Sequence, residues 1–230
     1  MNNLKTDRNE NYNGLIAILH TTSVTLPMMK NAISEYLPNA RIINFLDDSI
    51  LTDIKNDPKT LHYAYEKFLA FAKFAERQNA DIIVNACSTV GEFSIYATGK
   101  LAPQLVRIDD AVTDAFCEKA MAIAVLATAT TTIKPSSNLV LLKADPDARV
   151  ETMWLEEAFN LNASGDKDGH DKAIALKINE IADKYDAIFL AQASMADSIK
   201  YINVEYKDKV YTSIPYCINR IVSIASQIKK

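Results

Sequence analysis

Short, uninterrupted apolar runs alternate along this chain with longer stretches of helical periodicity. Leu15 to Leu19 and Ile82 to Ala86 are continuously apolar, which is the mark of strands buried on both faces of a parallel sheet. Arg41 to Leu46 and Leu105 to Ile108 read as further strands. Between them, Pro27 falls where the first turn of a helix tolerates proline, and Met28, Met29, Ile33 and Leu37 give that helix its apolar face. Lys59 to Gln78 is a longer amphipathic helix with a stripe of Leu61, Tyr65, Phe68, Leu69, Ala72 and Phe74. Thr89-Val-Gly-Glu92 has the spacing of a capping box, which predicts a helix from about Val90 towards Lys100. Asp109-Asp110 opens another helix, containing Cys117.

The pattern then starts again. Ile123-Ala-Val-Leu126 echoes Ile16-Ala-Ile-Leu19, and Pro135 answers Pro27. Ala148-Arg149 repeats Ala40-Arg41, Leu155-Glu-Glu repeats Leu46-Asp-Asp, and Asp186 to Ser194 matches Asp81 to Thr89. These matches keep a nearly constant offset of 105 to 109 residues, which argues for two similar lobes. The expectation is an α/β fold of two pseudo-symmetric lobes, each a small parallel sheet flanked by helices, with an active site in the cleft between them. Residues 14–113 with 215–230 form lobe 1, residues 114–214 form lobe 2, and residues 1–13 form a loose polar tail.

Composition narrows the function classes. At 230 residues the chain is long enough for two small cores, and 49% hydrophobic with 23% charged residues is ordinary for a globular protein. A net charge of −4, with no basic cluster, argues against nucleic acid as a partner. No apolar run spans a membrane, and the polar start is not a secretory signal. Cys87, Cys117 and Cys217 are odd in number and widely spaced, so no metal set or disulfide framework emerges and a cytoplasmic setting is expected. With five glycines and no Gly-x-Gly-x-x-Gly or Walker pattern, a dinucleotide cradle is not expected.

The chemistry collects at the strand ends. Cys87 sits where a buried strand meets a new helix, a place where α/β folds bind ligands and where a helix N-terminus lowers a thiol's pKa. A small buried cysteine filling the junction is the bland alternative. His20 to Ser23, Cys87 to Thr89, Thr128 to Thr132 and Gln192 to Ser194 are turns rich in hydroxyls and free N–H groups, which suit a carboxylate. A carboxylate beside one thiol suggests proton transfer at the carbon α to it, with the donors stabilising the enediolate. The same hydroxyls could equally serve only to satisfy helix ends. His170, placed just before a helix from Asp171 to Lys184, either reaches the crevice or decorates that helix start. Cys117, Cys217, Met153 and Trp154 read as packing residues, and Asp47 and Asp48 as solvated or capping carboxylates.

Ala86 to Gly91, Val125 to Thr132, His170-Asp171 and Leu190 to Ala196 together resemble the aspartate/glutamate/hydantoin racemase family. The resemblance covers nearly the whole chain after the tail. It implies two pseudo-symmetric α/β lobes, no cofactor and a pair of cysteines, one per lobe, flanking the substrate carbon. Carried over residue by residue, Cys87 is the first catalytic cysteine, and Ser88, Thr89, Thr130 and Thr131 bind the substrate carboxylate. Thr22 and Ser23 match more loosely, and Gln192, Ala193, Ser194 and His170 complete the substrate-binding set. The second cysteine position is Gln192, and an amide cannot act as a general acid or base. The arylmalonate decarboxylases of the same superfamily also work with one cysteine, though in the other lobe.

The expected function is cofactor-independent acid/base chemistry at the α carbon of a small carboxylic acid, with Cys87 as acid/base and no metal. A decarboxylase or lyase with one catalytic cysteine, and a non-catalytic binder of an acidic metabolite, are the rival readings. The family also suggests a homodimer.

Overall fold

The computed structural model describes residues 7–228. It divides into two compact units, one holding the chain up to Ala111 and resuming at Ile214, the other being Val112–Ser213. The first carries strands β1 (Leu15–His20), β2 (Arg41–Leu46), β3 (Ile82–Asn85) and β4 (Gln104–Arg107), all parallel in the order β2-β1-β3-β4. Its helices are α1 (Thr25–Tyr36), α2 (Ser49–Asn56), α3 (Leu61–Arg77) and the four-residue α4 (Phe93–Tyr96). Helix α5 (Asp110–Cys117) spans the passage into the second unit.

That unit repeats the plan. Strands β5 (Ala122–Ala127), β6 (Arg149–Trp154), β7 (Ala187–Leu190) and β8 (Val210–Thr212) are parallel in the order β6-β5-β7-β8. They alternate with α6 (Thr130–Lys143), α7 (Glu156–Ala163) and α8 (Lys167–Ile181), and two 3₁₀ helices, Ala193–Tyr201 and Val204–Lys209, lead into β8. Helix α9 (Ser213–Gln227) returns the chain to the first unit. Each parallel pair needs a crossover, which is why helices alternate with strands throughout.

The repeat extends to the register. Leu15 pairs with Arg41 and Ala122 with Arg149; Leu19 pairs with Asn85 and Leu126 with Leu190. Asp81 and Asp186 hold matching places: Asp81 Oδ2 accepts from Leu15 N (3.2 Å), and Asp186 Oδ2 accepts from Met121 N and Ala122 N (both 2.9 Å). Phe68 of α3 and Phe93 of α4 are fully buried against β1 and β3 in the first unit. Ile174 and Ile178 of α8 are buried against β5 and β7 in the second. Burial of each such side chain contributes roughly 1.5–3 kcal/mol.

Three expectations are corrected. The helix expected from Val90 is only α4, flanked by turns. Helix α8 begins four residues before Asp171, because Asp166 accepts from Gly169 N (2.8 Å) and starts it there. The described part of the polar segment is not loose: Tyr12 is buried with its hydroxyl on Asp81 (3.1 Å), and Asn9 N donates to Tyr36 O (2.8 Å). Residues 1–6 of that segment and 229–230 of the last expected helix lie outside the described residues. Among the described residues no helix is long and apolar enough to cross a membrane.

Candidate active site

Strand β3 is central in its sheet and ends at Asn85, a fully buried polar residue in an apolar strand. A buried amide needs partners, and Asn85 finds them in the turn that follows. Its Oδ1 accepts from Cys87 N (3.1 Å) and its Nδ2 donates to Val90 O (2.8 Å). The loop is therefore tied at both ends to one side chain. Inside it, Cys87 Sγ accepts from Thr21 Oγ1 at 2.9 Å, and from the N–H groups of Thr89 and Val90 and the Thr89 hydroxyl.

Burial pushes the Cys87 thiol above its ordinary value, although all of those donors pull it down. The sequence had pointed to a lowered pKa. That expectation relied on a helix beginning at the turn, whereas the nearest helix starts at Phe93 and has four residues. What surrounds the sulfur is a set of turn N–H and O–H donors in a buried site, which oppose the effect of burial on the thiol.

Beneath the turn lies a buried ion pair. Arg107, the last residue of β4, donates Nε to Asp109 Oδ1 (2.5 Å) and Nη2 to Asp109 Oδ2 (3.1 Å). A Cβ on Gly91 would stand 2.4 Å from the Arg107 guanidinium carbon, so the turn approaches this group as only glycine allows. Burial alone would lower the guanidinium pKa, but Asp109 outweighs it and holds the pKa above its ordinary value.

In the second unit, Gln192 stands one residue past Ala191, whose N donates to Leu126 O (2.9 Å). Cys87 stands one residue past Ala86, whose N donates to Leu19 O (3.0 Å), so the two positions are equivalent. Gln192 Oε1 accepts from Thr128 N (2.7 Å), Thr128 Oγ1 (3.2 Å) and Ala129 N (3.2 Å). Thr128 thus does for Gln192 what Thr21 does for Cys87. Trp154, read as packing, is 41% exposed and donates Nε1 to Thr128 O (3.2 Å), bracing the same turn. Thr130 is exposed at the start of α6 and Thr131 is half-buried behind it; Ala193 is buried and Ser194 half-buried.

No model of a known protein family matches the sequence. No curated protein matches it either. Solved structures do. Glutamate racemase from Francisella tularensis subsp. tularensis SCHU S4, solved with D-glutamate, superposes with a TM-score of 0.72 at 19% identity, covering 94% of this chain and 82% of that one. Aspartate racemase from Picrophilus torridus gives 0.70 at 14% identity, covering 93% and 94%. Glutamate racemase from Campylobacter jejuni subsp. jejuni gives 0.66 at 19%, covering 94% and 86%. This chain has the fold of the glutamate and aspartate racemases.

Within that racemase fold the remaining candidates divide clearly. Ser88 and Thr89 are buried in the Cys87 turn. Thr22 is half-buried and Ser23 exposed, and it is the neighbouring Thr21 that touches the sulfur. His170 is fully buried in the first turn of α8. Its Nδ1 lies 3.0 Å from Asp171 Oδ1, which also accepts from Lys167 Nζ (2.5 Å). Burial alone would raise the Asp171 pKa, but those hydrogen bonds outweigh it and hold the carboxyl below its usual range. Cys217 is buried and its thiol pushed up to about 12; Cys117 is buried and pushed up to about 11, both by desolvation, which fits packing roles. Among the described residues no group of three His, Cys, Asp or Glu could hold a metal ion.

His20 is structural. Its Nε2 faces Asn44 Oδ1 (3.0 Å) and its Nδ1 faces Thr25 Oγ1 (2.7 Å), so the neutral ring can donate to one and accept from the other. Burial lowers its pKa below the ordinary value of 6.5, against the pull of the Asn44 bond. A depressed histidine pKa means that the unfolded chain takes up the proton first. Stability is then fully present above 6.5 and falls as pH drops through the folded pKa. Urea unfolding between pH 7 and 5 is expected to show this loss, and His20→Gln to flatten it; an unchanged slope in the variant would remove His20 as the cause.

Proposed function

We propose that this protein is a racemase-type enzyme that performs cofactor-independent acid/base chemistry at the α carbon of a small carboxylic acid, an amino acid or close relative. Cys87 is the acid/base. The observation that carries this reading is the sulfur at the end of a central strand, buried, with Thr21, Thr89 and Val90 donors aimed at it. Those donors stabilise the thiolate that Cys87 becomes on giving its proton to solvent; that thiolate then takes the α proton, as the C–H bond breaks, the S–H bond forms and the electron pair moves into the carboxylate as an enediolate. Ser88 and Thr89 in the same turn, Thr22, Ser23, Thr130, Thr131, Gln192, Ala193, Ser194 and His170 are proposed to contact the substrate. Their assignment follows the racemase resemblance.

The raised thiol pKa supports a second reading. A thiol protonated at neutral pH is ready to protonate an enediolate produced by bond cleavage, which is decarboxylase or lyase chemistry. Incubating amino, hydroxy and malonic acids with the enzyme in heavy water separates the readings. Deuterium gain at the α carbon supports proton transfer, and carbon dioxide release supports cleavage. Binding with neither outcome reduces the protein to a metabolite binder. A cytoplasmic homodimer belongs to the same proposal, and a mass of 25.5 kDa by light scattering would remove the dimer from it.

A further inference from the structure

Asn85 has a donor end and an acceptor end, and the chain fixes both. Its backbone is held between parallel neighbours, Leu19 of β1 and Arg107 of β4. Its side chain is fully buried, with Oδ1 accepting from Cys87 N (3.1 Å) and Nδ2 donating to Val90 O (2.8 Å). Both partners are backbone groups, which cannot exchange donor for acceptor. Turning the amide over would set NH₂ against the Cys87 N–H and carbonyl against carbonyl at Val90, losing two hydrogen bonds in a buried site. The amide is therefore locked in one orientation. Between the two atoms it holds lie the N–H groups that reach the sulfur, those of Thr89 and Val90. No helix holds them, since α4 starts only at Phe93. All of these residues belong to the first unit.

We infer that Asn85 is a positioning residue for Cys87: its amide sets the Thr89 and Val90 N–H groups on the sulfur, so that the donors for the thiolate's charge are in place before it forms. The part this plays in a reaction rests on the Cys87 acid/base chemistry proposed above, whereas the geometry stands without it. Hydrogen bonds to a charged form favour that form. Donors already aligned need no reorganisation when the charge develops. A turn that loses Asn85 keeps the same N–H groups but no longer keeps them aimed. Thiolate then forms less readily, although no atom touching the sulfur has changed.

The competing account is that Asn85 only satisfies two buried backbone groups. Both accounts expect a lower melting temperature when it is replaced, so stability does not separate them. Ionisation of Cys87 does. Asn85→Leu keeps the volume and loses both bonds. Asn85→Ser keeps the bond to Cys87 N, because a hydroxyl makes the same turn two residues on, and loses only the bond to Val90. It is the variant expected to fold should leucine fail.

The test labels cysteine with ¹³C at Cβ and follows Cys87 through its titration by NMR, the signal being assigned by its loss in Cys87→Ala. In the wild type the amide signals of Thr89 and Val90 should move with that titration. In Asn85→Leu the thiolate fraction at a given pH below the inflection should fall about tenfold, and by less in Asn85→Ser, the scale of weakening one or two charge-assisted hydrogen bonds. On any acid that exchanges its α proton in heavy water, kcat should fall while KM holds, because the buried Asn85 acts only through the turn. Variant titrations that coincide with the wild type, or Thr89 and Val90 amides that ignore Cys87 in the wild type, would overturn the inference and leave the acid/base reading standing. Exchange in no acid, with the titration shifted as expected, would overturn the acid/base reading and leave the inference standing.

Discussion

Cys87→Ala is expected to lower α-proton exchange by on the order of 10³-fold, within the range that one positioned acid/base supplies. The fold should hold, since the change removes one small buried atom from a turn that Asn85 ties independently. Cys87→Ser is the sharper variant, because a hydroxyl can keep the Thr21 and backbone hydrogen bonds while being a far weaker acid. The pH profile then says which way the thiol works. Its pKa is raised above the ordinary 9.0 by burial. If the thiolate is the base, the rate climbs through and beyond that value; if the thiol is the acid, the rate falls over the same range. Thr21→Val removes a donor that lowers the pKa, so in either case the inflection should move further up. Exchange that survives in Cys87→Ala, or an inflection that ignores Thr21, would end the thiol mechanism.

Most of the architecture was legible because a parallel sheet buried on both faces writes itself as short apolar runs, and because the second unit repeats the first. The matching of Asp81 with Asp186 was visible as a sequence echo. Its physical reason, a carboxylate capping the first N–H groups of β1 and β5, was not. The Cys87 turn was found, but its mechanics were misread. The Thr-x-x-Glu spacing promised a helix at Val90, while the Val90 carbonyl is taken by Asn85 Nδ2 and by Phe93 N (3.1 Å), which makes a tight turn instead. Asn85 itself carried a signal that was passed over, since a polar side chain inside an apolar strand must be paired somewhere. Arg107 carried another, since a charged residue at the inner end of an apolar strand needs a partner, and Asp109 stands two residues on, in the turn after β4. Thr21 gave no signal apart from its neighbours: which hydroxyl of a Thr-Thr-Ser turn meets the sulfur is decided by strand register.

Asp109→Ala is expected to be the most destabilising single change at the site, by about 3–5 kcal/mol, the usual cost of leaving a buried charge without its partner. Arg107 is 5% and Asp109 0% exposed, so water does not readily take the missing carboxylate's place. Glu92 and Asp110 also act on the guanidinium, which moves the expectation towards the lower end. Against a total stability of about 5–15 kcal/mol this is a fall in melting temperature on the order of 10 °C. The consequence reaches the chemistry because the guanidinium lies against Gly91, four residues past Cys87. If the pair props the turn, exchange activity should fall in Asp109→Ala even at temperatures where the protein remains folded. The double variant Arg107→Met, Asp109→Leu tests this separately. Apolar replacements of similar volume commonly recover the stability of a buried pair, yet they cannot restore the guanidinium surface on which Gly91 rests. Recovered stability with lost exchange would assign the ion pair to positioning Cys87; recovery of both would reduce it to a packing element, and an Asp109→Ala protein with an unshifted urea midpoint would show that neighbouring charges already hold Arg107 without it.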